Sequence, residues 1–444
     1  MISHPAPAYR RPPARPGDLK LDSNEGALPP AALLRTLAGL DPEVLRRYPD
    51  MSTLEAALAE RFSVARDRVI VTAGADEAID RTCRAYLGPG LTLLRPEPSF
   101  EMLDRFAALA GGEVARVPWA PGPFPLAEFL ARLDARTAVI AVVSPNNPTG
   151  GVASAGDVRR LAEAAPGALV LLDHAYVEYA DEDLTSTVGD LPNVLVLRTL
   201  SKAWGLAGCR VGIAIGSPKT IAVLRAAGGP YPVAAPSAAL ALAQLACGDA
   251  ALREHVARVR DERRVLTERL AALGLQPWPS QANFVFAQCG PRPPAPFLAA
   301  GLAALGVIVR DFPDRPGLEG ALRVTLPGDA ASFTRLVTAL DTVLAPQALL
   351  LHFDGALSPD RALLERLAAR RLAIVTGRRA DLGTQRAWMV GSTPDDVRAA
   401  AGAGVLPLAL VAPGDDPTAT AATLREAGAA RVLDGLTDLL ELLP

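Results

Sequence analysis

Thr199-Leu200-Ser201-Lys202-Ala203-Trp204-Gly205-Leu206-Ala207-Gly208-Cys209-Arg210 decides how this 444-residue chain is read. The segment follows a short apolar run, Val194 to Leu197, and mixes hydroxyls, small residues, one lysine and one arginine. Runs of the same kind stand at Val69 to Thr72, Ala138 to Val143, Leu169 to Leu172 and Val211 to Ile215, each ending in a polar or glycine-rich turn. Longer Ala/Leu/Arg segments with helical spacing separate them, the alternation expected of a parallel α/β sheet. Ligands of such sheets sit beyond the carboxyl ends of the strands. The residues found there are Gly74-Ala75-Asp76-Glu77, Ser144-Pro145-Asn146-Asn147-Pro148-Thr149-Gly150, Asp173 and Thr199-Leu200-Ser201-Lys202.

Lysine is scarce: Lys20, Lys202 and Lys219 stand against 42 arginines, so any lysine chemistry has three candidates. At about 100–200 residues per domain, the length predicts two to four domains. A formal net charge of -3 with half the residues hydrophobic argues against a nucleic-acid or anionic-membrane partner. Cys83, Cys209, Cys247 and Cys289 show neither close pairing nor metal-ligand spacing, which disfavours a disulfide-stapled secreted fold and a zinc site. The Pro- and Arg-rich start lacks the apolar core of a secretory signal, and no apolar run approaches the ~18 residues of a membrane span. A soluble cytoplasmic protein is therefore expected, with no metal.

A strand-end lysine among phosphate-binding groups predicts a Schiff base with pyridoxal 5′-phosphate. Asp173 closes one strand, Tyr176 follows it by three residues, and Asn147 sits in the turn after another. An aspartate against the pyridine nitrogen keeps it protonated, so the ring accepts electrons from the substrate α-carbon. Tyr176 and Asn147 suit the ring's phenolate oxygen. The turn at Gly74, Ala75 and Asp76 opens a helix whose free N–H groups suit a phosphate, assisted by Thr199, Ser201 and Arg210. Phe100 is placed to stack on the ring.

Seven elements in order make the resemblance plain: Leu21-Asp22-Ser23-Asn24-Glu25, Arg47-Tyr48-Pro49-Asp50, Gly74-Ala75-Asp76-Glu77, Asn146-Asn147-Pro148-Thr149-Gly150, Asp173 with Tyr176, the Lys202 segment, and Leu322-Arg323-Val324-Thr325. Over about residues 1–345 the chain resembles the fold-type I pyridoxal-phosphate aminotransferases, closest to the histidinol-phosphate group. The resemblance implies an α/β fold with a large parallel-rich α/β/α sheet domain and a small α+β domain. The expected boundaries are an N-terminal arm and part of the small domain over 1–40, a large cofactor domain over 41–255 and the small C-terminal aminotransferase domain over 256–345. It implies Lys202 as Schiff-base lysine and proton shuttle, Asp173 at the pyridine nitrogen, and Tyr176 with Asn147 at the ring hydroxyl. It also implies Arg323 on the substrate α-carboxylate, Asn24 at the substrate, and a homodimer in which Tyr48 reaches the neighbouring subunit's cofactor phosphate.

Arg310, thirteen residues before Arg323, matches an arginine that holds a substrate phosphate in the resembling group, and Tyr9 matches a tyrosine of the arm that touches it. The implied substrates are an amino donor, L-histidinol phosphate, and a 2-oxo acid, 2-oxoglutarate. Aromatic amino acids compete within the same chemistry, and threonine-phosphate-type decarboxylation stands as a different reaction with the same motifs. Departures bear on this choice: Phe100 stands where tyrosine is usual, His174 follows Asp173 where glutamate is common, and Asn24-Glu25-Gly26-Ala27 lacks the following asparagine and proline.

At Ala345-Pro346 the strand-helix pattern restarts, with runs at Leu349 to Phe353, Leu372 to Val375, Trp388 to Val390 and Leu406 to Val411. Residues 346–444 resemble a small Rossmann-like, haloacid-dehalogenase-type domain. Its nucleophile position carries His352, Ala356 replaces the usual threonine, and Ser392 stands where a magnesium-binding aspartate is usual, leaving Asp354, Thr376 and Asp396. Phosphoryl transfer of that kind needs a carboxylate nucleophile and a carboxylate-held magnesium. With no lysine after Lys219 either, an inactive domain with a scaffold role is expected.

Overall fold

The computed structural model describes residues 14–352, 361–370, 372–376 and 386–443. The chain divides into two compact units. The first contains Asn24–Arg263 and Trp278–Val285, and the second contains the described residues before Asn24, Arg264–Pro277 and everything from Phe286 onward.

In the first unit a seven-stranded sheet runs in the order Val69–Ala73, Val211–Ile215, Val194–Thr199, Leu169–Asp173, Thr137–Val143, Thr92–Glu97, Glu113–Pro118. All neighbours are parallel except Val211–Ile215, which is antiparallel to both of its own. The central strands are apolar throughout because both faces are covered. Ile140, Val142, Val170 and Leu172 enter one core, while Val139, Ala141, Leu169 and Leu171 enter the other.

Two features escaped the sequence pattern. The strand Thr92–Glu97 carries Arg95, 1% exposed and held by Glu97 and Asp104, so a paired charge interrupts what would read as a strand. The Ala/Leu/Arg-rich stretch after the sheet is two helices, Ala235–Cys247 and Asp249–Ala272, bent by 80° at Gly248. Glycine is the poorest helix former after proline, and a break there is cheap. No single helix among the described residues is long and apolar enough to cross a membrane.

The second unit holds two sheets. One is mixed, in the order Leu19–Leu21, Val307–Asp311, Ala321–Thr325, Phe284–Gln288, Gln276–Pro277. The other is wholly parallel, in the order Ala373–Thr376, Ala348–Leu351, Ala387–Gly391, Leu406–Leu410, Arg431–Leu433. The helices Ala295–Ala304 and Ala330–Leu344 pack against this second sheet. The fully buried Trp388 lies 5.4 Å from the Phe297 ring and donates its indole N–H to the Thr342 carbonyl at 2.8 Å. Asp341 takes Arg269 at 2.5 Å and Arg386 at 3.2 Å. The C-terminal strands thus pack against helices of the small α+β region.

Candidate active site

Asp173 ends its strand between Val143 and Leu197 and is 4% exposed. Its Oδ1 accepts the Ala175 N–H at 3.0 Å. Burial raises its carboxyl to about 6, nearby Asp76 adds to the rise, and the Ala175 N–H and Lys202 oppose it. A buried carboxyl with raised proton affinity is suited to a protonated ring nitrogen beside it. His174, next in the chain, donates Nδ1–H to the Ser144 carbonyl at 2.5 Å, and burial lowers it to about 4, so it stays neutral.

The half-buried Lys202 sits in the turn after Val194–Thr199, with Nζ 5.6 Å from the centroid of the Tyr176 ring. Tyr176 is buried, packs edge-on against Phe284 at 5.2 Å, and accepts a hydrogen bond from Asn24 Nδ2 at 3.0 Å. Asn24 itself has φ +55°, a left-handed conformation in which asparagine is tolerated better than most residues. The chain then runs so close over the lysine turn that a Cβ on Gly26 would collide with the Lys202 carbonyl. Gly26 thus follows Asn24-Glu25 where the resemblance leads one to expect an asparagine.

A second cluster lies around Gly74, the first residue of the helix Gly74–Tyr86. Thr199 Oγ1 donates to Ser201 Oγ at 2.8 Å, Arg210 Nη1 reaches Ser201 Oγ at 3.4 Å, and Arg210 Nη2 reaches Asp76 at 3.3 Å. Gly74 has φ +79°, and a Cβ there would collide with the Arg210 guanidinium. Arg210 has φ +54°, an uncommon conformation for a residue of its kind and one that collects at functional sites. A helix N-terminus, two hydroxyls and a guanidinium brought together this closely form a cradle for a phosphate.

Asn146 braces the turn after Thr137–Val143. Its amide donates to the Pro98 carbonyl at 2.9 Å and to Thr149 at 2.8 Å, and accepts from Ser99 at 2.7 Å. Asn147 is half-buried beside it, and Phe100 is half-buried against the core next to the same turn. Ser99 and Asn146 were missed as supports because a buried hydrogen bond between residues 47 apart leaves no local pattern.

Arg310 and Arg323, in the second unit, are direct partners on antiparallel strands. Residues so paired project to one face of the sheet, so both guanidinium side chains share it. Arg323 is 8% exposed and donates to the Asp22 carbonyl at 2.5 Å, while Arg310 lies 5.9 Å from the centroid of the Phe312 ring. Tyr48 is 79% exposed and stacks on Tyr231 with ring centroids 4.4 Å apart. Tyr9 lies outside the described residues, as do Asp354 and Ala356.

At the C-terminal parallel sheet, His352 Nδ1 meets Asp396 Oδ1 at 2.7 Å. Asp396 Oδ2 accepts the Ser392 and Thr393 N–H groups at 3.2 and 3.1 Å and the Thr393 hydroxyl at 2.8 Å. Asp396 thereby completes a capping box for the helix Pro394–Gly402. Among the described residues no group of three or more His, Cys, Asp or Glu side chains is placed to hold a metal ion.

The first unit therefore fits pyridoxal 5′-phosphate at both ends of that molecule, with a buried carboxyl of raised proton affinity at one and the Gly74–Arg210 cradle at the other. Comparison with known proteins agrees. The model of aminotransferase class I and II matches residues 16–340. Histidinol-phosphate aminotransferase 1 of Trichormus variabilis is 34% identical over 75% of this chain and 94% of its own. An aromatic amino acid aminotransferase of Mycobacteroides abscessus is 35% identical over 72% of this chain and 92% of its own. The crystal structure of histidinol-phosphate aminotransferase from Sinorhizobium meliloti in complex with pyridoxal-5′-phosphate superposes with a TM-score of 0.66 at 26% identity, covering 72% of this chain and 89% of that one. With the site's residues and these likenesses in agreement, the chain belongs to the class I and II aminotransferases and is a pyridoxal-phosphate enzyme.

Proposed function

We propose that the chain exchanges an amino group between L-histidinol phosphate and 2-oxoglutarate at Lys202. The observation that carries the choice of substrate is the Arg310–Arg323 register. Two guanidinium groups on one face of the sheet are suited to the anionic groups of a substrate. The donor offers a phosphate monoester and the 2-oxo acid offers carboxylates, so one arginine pair serves both half-reactions. Three relatives named histidinol-phosphate aminotransferase, at 34%, 35% and 37% identity, support the same reading.

Bound at this site, pyridoxal phosphate supplies an electron sink conjugated to the substrate α-carbon. Lys202 attaches the cofactor and then carries the proton that leaves the α-carbon. Asp173 keeps the proton at the ring nitrogen, its buried carboxyl having no water to share charge with. Tyr176, oriented by Asn24, donates to the ring oxygen together with Asn147. Thr199, Ser201, Arg210 and the helix end at Gly74, Ala75 and Asp76 hold the phosphate, and Phe100 covers the ring.

The active species is inferred to be a homodimer. Leu28, Leu34, Leu45 and Tyr48 are 95%, 64%, 76% and 79% exposed, an apolar surface in search of cover. Tyr48 then reaches the partner's phosphate cradle. The C-terminal region is inferred to be a haloacid-dehalogenase-like domain without phosphatase activity, since His352 replaces the nucleophilic carboxylate and Asp396 is committed to a helix cap.

Mixing the holoenzyme with L-histidinol phosphate alone tests the reaction. The expected result is loss of the cofactor's visible band with one equivalent of keto phosphate. Carbon dioxide released from phosphothreonine, which unlike L-histidinol phosphate carries an α-carboxylate, would replace transamination by decarboxylation. The 35% identical aromatic relative supports a second donor class, and Arg310→Ala separates the two. Charge-assisted hydrogen bonds are worth about 1.5–3 kcal/mol, so KM for histidinol phosphate rises about 10- to 100-fold. An aromatic donor as true substrate predicts no such rise.

A further inference from the structure

Asn24 owes its unusual conformation to a chain of buried polar groups behind it. Asn283 Nδ2 donates to the carbonyls of Asn24 and Glu25 at 3.2 and 3.4 Å, which fixes the orientation of the Asn283 amide, since its oxygen would repel both. The same side chain hydrogen-bonds the Tyr179 hydroxyl. Tyr179 in turn meets His255 Nε2 at 3.1 Å. Burial lowers the proton affinity of His255 and raises that of Tyr179, so both stay neutral. A neutral His255 accepts the Tyr179 O–H through Nε2, which leaves the Tyr179 oxygen to accept from Asn283. The donors point one way: Asn283 to Tyr179 to His255.

Nothing along this path is wet. Asn24, Asn283, Tyr179 and His255 are 1%, 1%, 0% and 6% exposed. The helix Asp249–Ala272, which bears His255, also grips the turn through its arginines: Arg260 Nε and Arg263 Nη1 donate to the Tyr179 carbonyl at 3.2 and 3.3 Å, and Arg263 donates to the Ala282 carbonyl at 2.8 Å. At the far end, Asn24 Nδ2 donates to the Tyr176 hydroxyl at 3.0 Å.

We propose that Asn283, Tyr179 and His255 are positioning residues that hold Asn24 in its left-handed conformation and thereby set the Tyr176 hydroxyl. The consequence for the cofactor rests on the reading above that Tyr176 faces the ring oxygen. Removing any member of the chain loosens Asn24 and changes the electronics of the bound ring without touching it.

Two readouts on the full-length protein test this. In the cofactor-free protein, deuterium exchange of residues 24–27 is expected to accelerate at least about tenfold in Tyr179→Phe and His255→Leu, a change of about 1.4 kcal/mol in local opening. His255→Gln, which keeps an acceptor, is expected to restore slow exchange. In the holoenzyme at one fixed pH, Tyr179→Phe and Asn283→Ala are expected to move the visible spectrum in the direction of Tyr176→Phe, and to add nothing in the Tyr176→Phe background. Wild-type exchange at 24–27 in both Tyr179→Phe and His255→Leu, even with a lowered Tm, overturns the proposal. A wild-type protein that shows the exchange pattern and binds no pyridoxal phosphate overturns the function above while leaving the positioning of Asn24 in place.

Discussion

Two parallel arrays of strands in this chain end in polar side chains, and the two ends are organised differently. Beyond the seven-stranded sheet, Asp173 with Tyr176, Ser201 with Lys202, and Arg210 come from three successive segments of the chain. Beyond the C-terminal sheet, His352 and Asp396 are bonded to each other, and Asp396 is further bonded to three donors of its own helix start. Strand ends in open α/β sheets are favourable places for a site. The C-terminal pair is committed to a helix cap, whereas the turns of the first sheet bring a lysine, a phenol and a buried carboxyl into one neighbourhood.

The largest effect that tests this contrast is at Lys202. Lys202→Ala is expected to abolish covalent cofactor attachment and to cut transamination by at least about 10³-fold, measured by single-turnover kinetics. Asp173→Asn comes next, with a loss of about 10²–10⁴-fold in kcat, the range for a misplaced proton. The same variant is expected to make the cofactor-free protein more stable near neutrality. Because the folded-state carboxyl is raised from 3.8 to about 6, its contribution is fully favourable in acid and is lost as pH rises from about 4 to about 6. The penalty above that window is on the order of 3 kcal/mol and is absent from Asp173→Asn. Denaturant titrations of both proteins below pH 4 and above pH 6 check it; an equal difference at both ends refutes the assignment.

In the C-terminal region, Trp388→Ala is expected to cost about 3–5 kcal/mol, read as a fall in Tm, because the indole is fully buried and hydrogen-bonded. Asp396→Ala is the mildest. Loss of the capping contacts costs about 1 kcal/mol, and transamination is expected to stay within about twofold of wild type. Phosphomonoester hydrolysis that disappears in Asp396→Ala would erase the distinction between the two strand ends.

Much of the site was legible because each residue follows an apolar run, and burial on both faces writes that run plainly into the sequence. Asp173, Lys202, Thr199 and Ser201 are all of this kind. Arg310 and Arg323 were picked out singly, but their pairing depends on strand register, which thirteen residues of spacing do not specify. Asn283 was invisible for another reason: it precedes the buried strand Phe284–Gln288, and its partners lie about 260 residues away at Asn24 and Glu25. The strand Thr92–Glu97 was hidden by Arg95, whose charge is neutralised by Glu97 of the same strand and by Asp104 of the following helix.

Gly301 packs with so little space that a Cβ there would lie 3.2 Å from Val343 and 3.3 Å from Leu406. The first of these neighbours comes just after the family match ends at residue 340, and the second more than sixty residues later. Homology and folding therefore place the end of the enzyme differently. A shortened gene stopping where the likeness stops would encode a helix, Ala295–Ala304, with its outer face bare and Phe297 stripped of Trp388. Truncation there is expected to expose the apolar face that Val343, Trp388 and Leu406 cover.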